Sequence, residues 1–203
     1  MPTDSRARLV AAVVLAATLV QLAVAAFVPG LPQFEGKGFG ARLALYPAMM
    51  LVVPLLWRWH GPGAAVPWTG FTLVMTPFLI DVTGNTLDLY DRLVWFDDAC
   101  HFLNWFLLTL GLALVVRADL VRPEWARLLV LVGGGALLAV VWEVGEWFAF
   151  IRYGTELTTA YEDTLGDEVL GTSGSLLAAL TLGRVRRLLD LPAAQPSPPH
   201  LDR

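Results

Sequence analysis

Six long apolar stretches, separated by short polar segments, constrain the fold of this chain more than any other feature. They cover residues 9–28, 40–57, 64–80, 97–116, 125–151 and 163–183. The first contains twenty residues and no charged side chain, and about 20 apolar residues suffice for a helix to cross a bilayer. Only 16% of the chain is charged, against about 25% in typical soluble domains. We therefore predict an all-α, polytopic membrane helix bundle with about six transmembrane helices.

The domain organisation is expected to be simple. Residues 1–190 should form a single transmembrane helical domain, and residues 191–203 a Pro-rich, disordered tail. The first stretch can also be interpreted as a signal peptide, because Ala23-Val24-Ala25 offers an A-x-A cleavage site. Its apolar run is longer than a usual signal-peptide core, so we favour an uncleaved helix. The single cysteine, Cys100, excludes an intrachain disulfide.

The positions of Lys and Arg predict that both termini are cytoplasmic. With the N-terminus inside, most of the basic residues fall in cytoplasmic segments: Arg6, Arg8, Arg58, Arg117, Arg122, Arg127, Arg184, Arg186, Arg187 and Arg203. The outer segments hold only Lys37, Arg42, Arg92 and Arg152. This bias follows the positive-inside rule, and an odd number of helices would remove it. We expect a multi-pass protein of the cell (inner or plasma) membrane.

Acidic side chains gather at the non-cytoplasmic ends of the predicted helices. A helix rises about 1.5 Å per residue, so Glu143 lies about 24 Å above Arg127, which marks the cytoplasmic end of its helix. The same measure places eight ionisable groups from four helices within about 10 Å of membrane depth: Asp81, Asp97, Asp98, His101, Glu143, Glu146, Asp163 and Asp167. Because such groups are costly in lipid, we expect them to face the bundle interior and one another.

Helical spacing places these groups on shared helix faces. The pairs three or four residues apart are Asp97–His101, Asp98–His101, Glu143–Glu146 and Asp163–Asp167. Like charges in a dry site need either protons or a cation between them. A carboxylate-rich layer with one histidine is typical of sites for one or two divalent metal ions. The same layer can hold protons or Na⁺ during transport.

Each candidate residue has an expected role. The predicted ligands of a divalent metal ion are Asp98, His101, Glu143, Glu146 and Asp167. The candidate catalytic residues are Asp163, as general base, and Glu146. The candidates for substrate binding are Asp81, Asn85, Tyr90 and Tyr161. The segment 81–91 is predicted to be a polar loop, because Gly84-Asn85 marks a turn.

Four motifs support a family resemblance. They are Asp81-x3-Asn85-x4-Tyr90-Asp91, Asp97-Asp98-x2-His101-Phe102, Trp142-Glu143-x2-Glu146-Trp147 and Tyr161-x-Asp163-Thr164-x2-Asp167-x3-Gly171. As a set they resemble the YjdF-like uncharacterised bacterial inner-membrane proteins and, more distantly, the VanZ-like membrane proteins. The resemblance covers roughly residues 70–180. It implies a helical membrane fold, and the YjdF-like family has no established activity to carry over. The chain departs from the VanZ pattern at Asp98, where Lys is usual.

Three functions compete on this evidence. The first is a membrane-embedded, metal-dependent enzyme that acts on a lipid or lipid-linked substrate. The second is a cation or proton transporter. The cytoplasmic halves of the helices are nearly all apolar and offer no polar path for an ion, which argues against this function. The third is a structural membrane protein whose buried polar layer fixes helix registry. We expect membrane lipid as a partner and no nucleic acid, and the oligomeric state stays open.

Overall fold

The described part of the chain is entirely helical. The structure is a computed structural model that describes residues 2–60, 65–149, 151–153 and 155–189. Within these ranges it has no strand and seven α-helices: α1 Pro2–Phe27, α2 Phe39–His60, α3 Trp68–Thr86, α4 Leu89–Arg92, α5 Phe96–Val115, α6 Glu124–Ala149 and α7 Ala160–Leu188. The predicted all-α class is confirmed. The tail predicted to be disordered, residues 191–203, lies outside the described residues.

Four of the described helices are long and apolar enough to cross a membrane. These spans are Ser5–Phe27, Phe39–Trp59, Phe96–Val115 and Glu124–Ala149. The two other long helices, α3 and α7, were also predicted to cross, but they carry more polar residues, among them Asp81 and Asn85 in α3 and Asp163 and Asp167 in α7. Four apolar helices of spanning length agree with a multi-pass membrane location.

Small residues bring the central helices close together. The helices α1, α3, α5 and α7 pack side by side in this order, α2 packs on α1 and α3, and α6 packs on α7 and α5. A Cβ atom on Gly174 of α7 would lie 2.2 Å from the backbone oxygen of Phe102 in α5, and one on Gly111 would lie 2.9 Å from the backbone oxygen of Gly70 in α3. Such glycines let helix backbones approach closely in membranes. Gly171 also lies against α5, where an added Cβ atom would lie 2.6 Å from the Trp105 ring.

The predicted loop over residues 81–91 is wrong in its first half. Helix α3 continues through Gly84 and Asn85 to Thr86, and the short helix α4 follows after Asp88, which has a left-handed backbone (φ 61°). Gly84 is buried, and a Cβ atom there would lie 2.5 Å from the Phe96 ring. The Asn85 side chain donates to the Asp81 backbone oxygen within the helix (3.0 Å). Tertiary packing thus overrides the local turn signal.

Candidate metal centre and adjoining cavity

Five ionisable side chains meet at one end of the bundle, and we call them the carboxylate–histidine cluster. They are Asp97 and His101 of α5, Glu143 and Glu146 of α6, and Asp167 of α7. The chain direction explains the meeting, because α5 and α7 begin at this end of the bundle and α6 ends there. The close packing of α5 on α7 and of α6 on α7 brings the three helix faces together.

The distances around His101 are the distinctive feature of this cluster. Its Nε2 atom lies 3.6 Å from Asp167 Oδ1 and 3.7 Å from Asp97 Oδ1, and its Nδ1 atom lies 3.8 Å from Glu143 Oε1. Direct N–H···O hydrogen bonds are shorter, at about 2.7–3.2 Å. Two ligand atoms each about 2.1 Å from a tetrahedral metal ion lie about 3.4 Å apart. The two Nε2 separations fit ligand atoms arranged around one cation, whereas Glu143 lies at the other ring nitrogen.

Two sets of donor atoms are compact enough to hold a metal ion. One consists of Asp97, His101 and Asp167, and the other of His101, Glu143 and Glu146; in each set the donor atoms lie within 4.8 Å of one another. Burial strengthens both sets, because only 9% of His101, 7% of Glu143 and 3% of Asp167 is exposed. Unpaired carboxylates are costly at such burial. A bound cation would offset that cost.

Four of the five predicted metal ligands lie together, and Asp97 takes the place of the fifth, Asp98. His101, Glu143, Glu146 and Asp167 all belong to the cluster, but Asp98 belongs to neither compact set and its side chain is exposed. Asp97, which precedes it, lies next to His101 instead. Thr164, one turn from Asp167, donates a hydrogen bond to Glu143 Oε2 (3.2 Å) and so ties α7 to α6.

A second polar cluster, the arginine–tyrosine cluster, surrounds Asp81 and consists of Arg42, Tyr46, Asp81 and Tyr90. Arg42 donates to both carboxylate oxygens of Asp81 (2.8 and 3.1 Å). Tyr46 donates to Oδ2 (2.6 Å) and Tyr90 to Oδ1 (3.1 Å). Burial, with Asp81 next, raises the pKa of Tyr90, so its hydroxyl remains a donor. Asp81 thus holds α2, α3 and α4 together.

Members of both clusters line a cavity of about 620 Å³. Six of the residues predicted for catalysis, metal binding or substrate binding line it: Asp81, Asn85, Tyr90, His101, Glu146 and Asp163. Tyr161, a predicted substrate-binding residue, does not line this cavity and is 81% exposed. The volume falls within the range of about 300–1,000 Å³ that is usual for ligand pockets.

The cavity also contains residues that the sequence interpretation missed. Arg42 and Tyr46 line it from α2, and Trp142 lines it from α6. The Tyr46 and Trp142 rings are in contact, with centroids 6.3 Å apart. One feature of the sequence could have indicated this cavity: Arg42 is the only charged residue in the apolar stretch 40–57 and lies two residues from its start. A charge in that position needs a buried partner or a polar cavity.

Lys37 and Asp91 form an ion pair among the cavity-lining residues. The hydrogen bond from Lys37 holds the pKa of the Asp91 carboxyl below its ordinary value. The side chain of Asp91 is 56% exposed and that of Lys37 is 24% exposed. In contrast to the Arg42–Asp81 pair, this contact is therefore open to solvent screening.

Comparison with known proteins gives one match. A family model described as "Predicted membrane protein (DUF2238)" matches residues 7–188, which include all members of both clusters. No curated protein and no solved structure matches the chain.

Proposed function

The chain belongs to the DUF2238 family of predicted membrane proteins, and on this premise we propose that it is a membrane-embedded enzyme that uses a divalent metal ion to act on a lipid or lipid-linked substrate. The observation that carries the proposal is the spacing around His101. Both ring nitrogens lie 3.6–3.8 Å from carboxylate oxygens of three helices, and His101 lines a cavity large enough for a substrate headgroup.

We infer that α3 and α7 also cross the membrane, which gives six crossings with both termini cytoplasmic. Helix α3 packs between α1 and α5, and α7 packs between α5 and α6. All three of these neighbours, α1, α5 and α6, are candidate spans. At about 1.5 Å per residue, the 19 residues of α3 extend about 28 Å. Together with the Arg distribution, this topology puts the two clusters near the outer face. Within the family, the four motifs favour the YjdF-like group, and the VanZ-like resemblance is more distant.

The preferred metal ligands are His101 Nε2, Asp97 and Asp167. These two carboxylates are the closest to a single ring nitrogen. Glu143 then faces Nδ1, where an acidic partner fixes the tautomer and orientation of a metal-bound histidine. Asp97 replaces Asp98 in the set expected from the sequence, and Glu143 becomes a positioning residue. Glu146 is left facing the cavity.

The metal ion and the side chains of the cavity have different roles in the proposed reaction. The ion, when bound, lowers the pKa of a bound water and polarises a phosphoryl or acyl group. Glu146 and Asp163 both line the cavity, and either can accept a proton there. Asp163 is the better general base, because it is exposed and can return the proton to water. Asp81 positions Arg42, Tyr46 and Tyr90 rather than touching the substrate, because those three side chains already occupy both of its oxygens.

Metal analysis of the full chain tests the proposal. Protein purified in mild detergent without a chelator should contain about one divalent metal ion per chain. Asp97→Asn should lose most of that metal, whereas Asp98→Asn should keep it, because the two variants remove the same charge from adjacent positions of α5. Wild-type protein without metal, or equal metal loss in both variants, would overturn the proposal. If no metal binds, ion flux in proteoliposomes separates a transporter from a structural protein.

A further inference from the structure

The cavity is acidic beyond what its ion pairs account for. Only two basic side chains, Lys37 and Arg42, are among its described lining residues, and each already forms an ion pair with an aspartate of the lining, Asp91 and Asp81. Four more carboxyl groups line the cavity: Glu35, Asp97, Glu146 and Asp163. Asp97 belongs to the candidate metal centre, whereas Glu35 and Asp163 are exposed and lie outside it. These two carboxyl groups favour a ligand that itself carries positive charge.

Aromatic side chains supply a second, independent feature of the same cavity. Five rings line it: Tyr46, Phe78, Tyr90, Trp105 and Trp142. The faces of aromatic rings attract ammonium groups, and recognition of such groups by several rings together with acidic residues is a recurrent use of this interaction. The faces of the rings do not attract an anionic group. Charge and aromatic lining therefore point to the same class of ligand.

The position of the cavity between α2 and α6 indicates where this ligand comes from. Helices α2 and α6 both line the cavity, through Tyr46 and Trp142, whose rings are in contact. Apolar side chains on both helices are exposed, for example Leu45 (55%) on α2 and Val141 (59%) on α6. In a membrane protein such surfaces face lipid.

We propose that the cavity receives the ammonium-bearing headgroup of a membrane lipid. The inference rests on the proposed function and names the substrate class of that site. The ammonium group is recognised by the carboxyl groups and aromatic rings of the lining, and the acyl chains remain among the exposed apolar side chains of α2 and α6. His101 is 9% exposed and lines the same cavity, so the headgroup would lie beside the candidate metal centre.

Native mass spectrometry of the full chain in detergent tests this proposal. The protein is treated with EDTA, so that the result does not depend on a metal ion, and titrated with phosphatidylethanolamine or phosphatidylglycerol of the same acyl chains. We expect one tightly bound phosphatidylethanolamine per chain, with a Kd about tenfold lower than that of phosphatidylglycerol. Soluble ethanolamine in a third titration distinguishes a lipid ligand from a free amine.

Matched variants test whether the preference for phosphatidylethanolamine over phosphatidylglycerol comes from the residues that line the cavity. Asp163→Asn should lower the preference for phosphatidylethanolamine several-fold, and so should Glu35→Gln. Glu162→Gln should leave it unchanged, because Glu162 is exposed next to Asp163 and does not line the cavity. Equal affinity of the wild type for both lipids would overturn the proposal, and so would an equal loss in Glu162→Gln. If soluble ethanolamine binds as tightly as phosphatidylethanolamine, the ligand is a free amine and not a lipid headgroup, which would overturn the proposal. Because the protein is treated with EDTA, all these results can be measured even if the protein binds no metal ion.

Discussion

The Nε2 atom of His101 in α5 lies 3.6 Å from Oδ1 of Asp167 in α7. This separation depends on helix packing one to two turns away, where Gly171 lies against the Trp105 ring and Gly174 lies against the Phe102 backbone. The two glycines fix how closely α7 approaches α5. The candidate metal centre and the packing of these helices are therefore coupled.

Gly174→Ala should destabilise the protein and weaken metal binding together. The added Cβ would lie 2.2 Å from the Phe102 backbone oxygen, so α7 has to move away from α5. Overpacking of this kind costs about 1–3 kcal/mol. Thermal unfolding in detergent and metal content measure the two effects. Gly183→Ala is the matched control on the same helix, because nothing lies within 4 Å of its added Cβ; equal effects of both variants would contradict the account.

His101→Ala and Cys100→Ala should differ sharply in metal content. The two residues are adjacent and both buried in α5, but only His101 belongs to the compact donor sets. His101→Ala should lose nearly all bound metal, and Cys100→Ala should retain the wild-type amount. Elemental analysis of the purified variants checks this prediction. Loss of metal from Cys100→Ala would contradict a metal site that includes His101 but not Cys100.

Asp81→Asn should be far more damaging than Asp91→Asn. The side chains of Arg42 and Asp81 are each 14% exposed, and removing one partner of a buried ion pair costs about 3–5 kcal/mol. Asp91 pairs with Lys37 at an exposed position, where ion pairs contribute about 0–1 kcal/mol. Denaturant unfolding compares the two variants. If the account is right, Arg42→Gln combined with Asp81→Asn costs less than the sum of the two single changes.

The Lys37–Asp91 pair gives a pH dependence of defined sign. Lys37 lowers the pKa of Asp91 in the folded protein, so the pair stabilises the fold above the ordinary aspartate pKa of about 4. That contribution is lost as the pH falls below this value through the folded pKa. Lys37→Gln should therefore be slightly less stable than wild type at pH 7, and the difference should disappear once the pH has fallen through the folded pKa of Asp91. A difference that grows as the pH falls would contradict this assignment.

The sequence predicted the elements whose signal is local. Long apolar runs placed both ends of α2, α5 and α6 to within a few residues, whereas α1 begins at Pro2, well before the predicted start at residue 9. The end of α3 was missed, because Gly84-Asn85 has turn chemistry and only its burial against Phe96 and Tyr90 keeps it helical. That burial comes from the later helices α4 and α5, which a local pattern does not contain.

The candidate site was predictable in composition but not in detail. Helical spacing and depth brought His101, Glu143, Glu146 and Asp167 together in advance. Asp97 and Asp98 were not separable, because both lie on the same helical face as His101. The rotation of α5 against α7 decides between them, and it depends on packing at the glycines of α7. Arg42 was counted as an outer charge, and its contact with Asp81 joins residues on two different helices.

X-ray absorption spectroscopy on the zinc-loaded full chain shows whether His101 binds a metal ion. We expect one imidazole nitrogen at about 2.0–2.1 Å and carboxylate oxygens at about 2.0–2.2 Å from the ion, with the imidazole signal absent in His101→Ala. A spectrum without imidazole, or one that His101→Ala leaves unchanged, would contradict a metal centre built on His101.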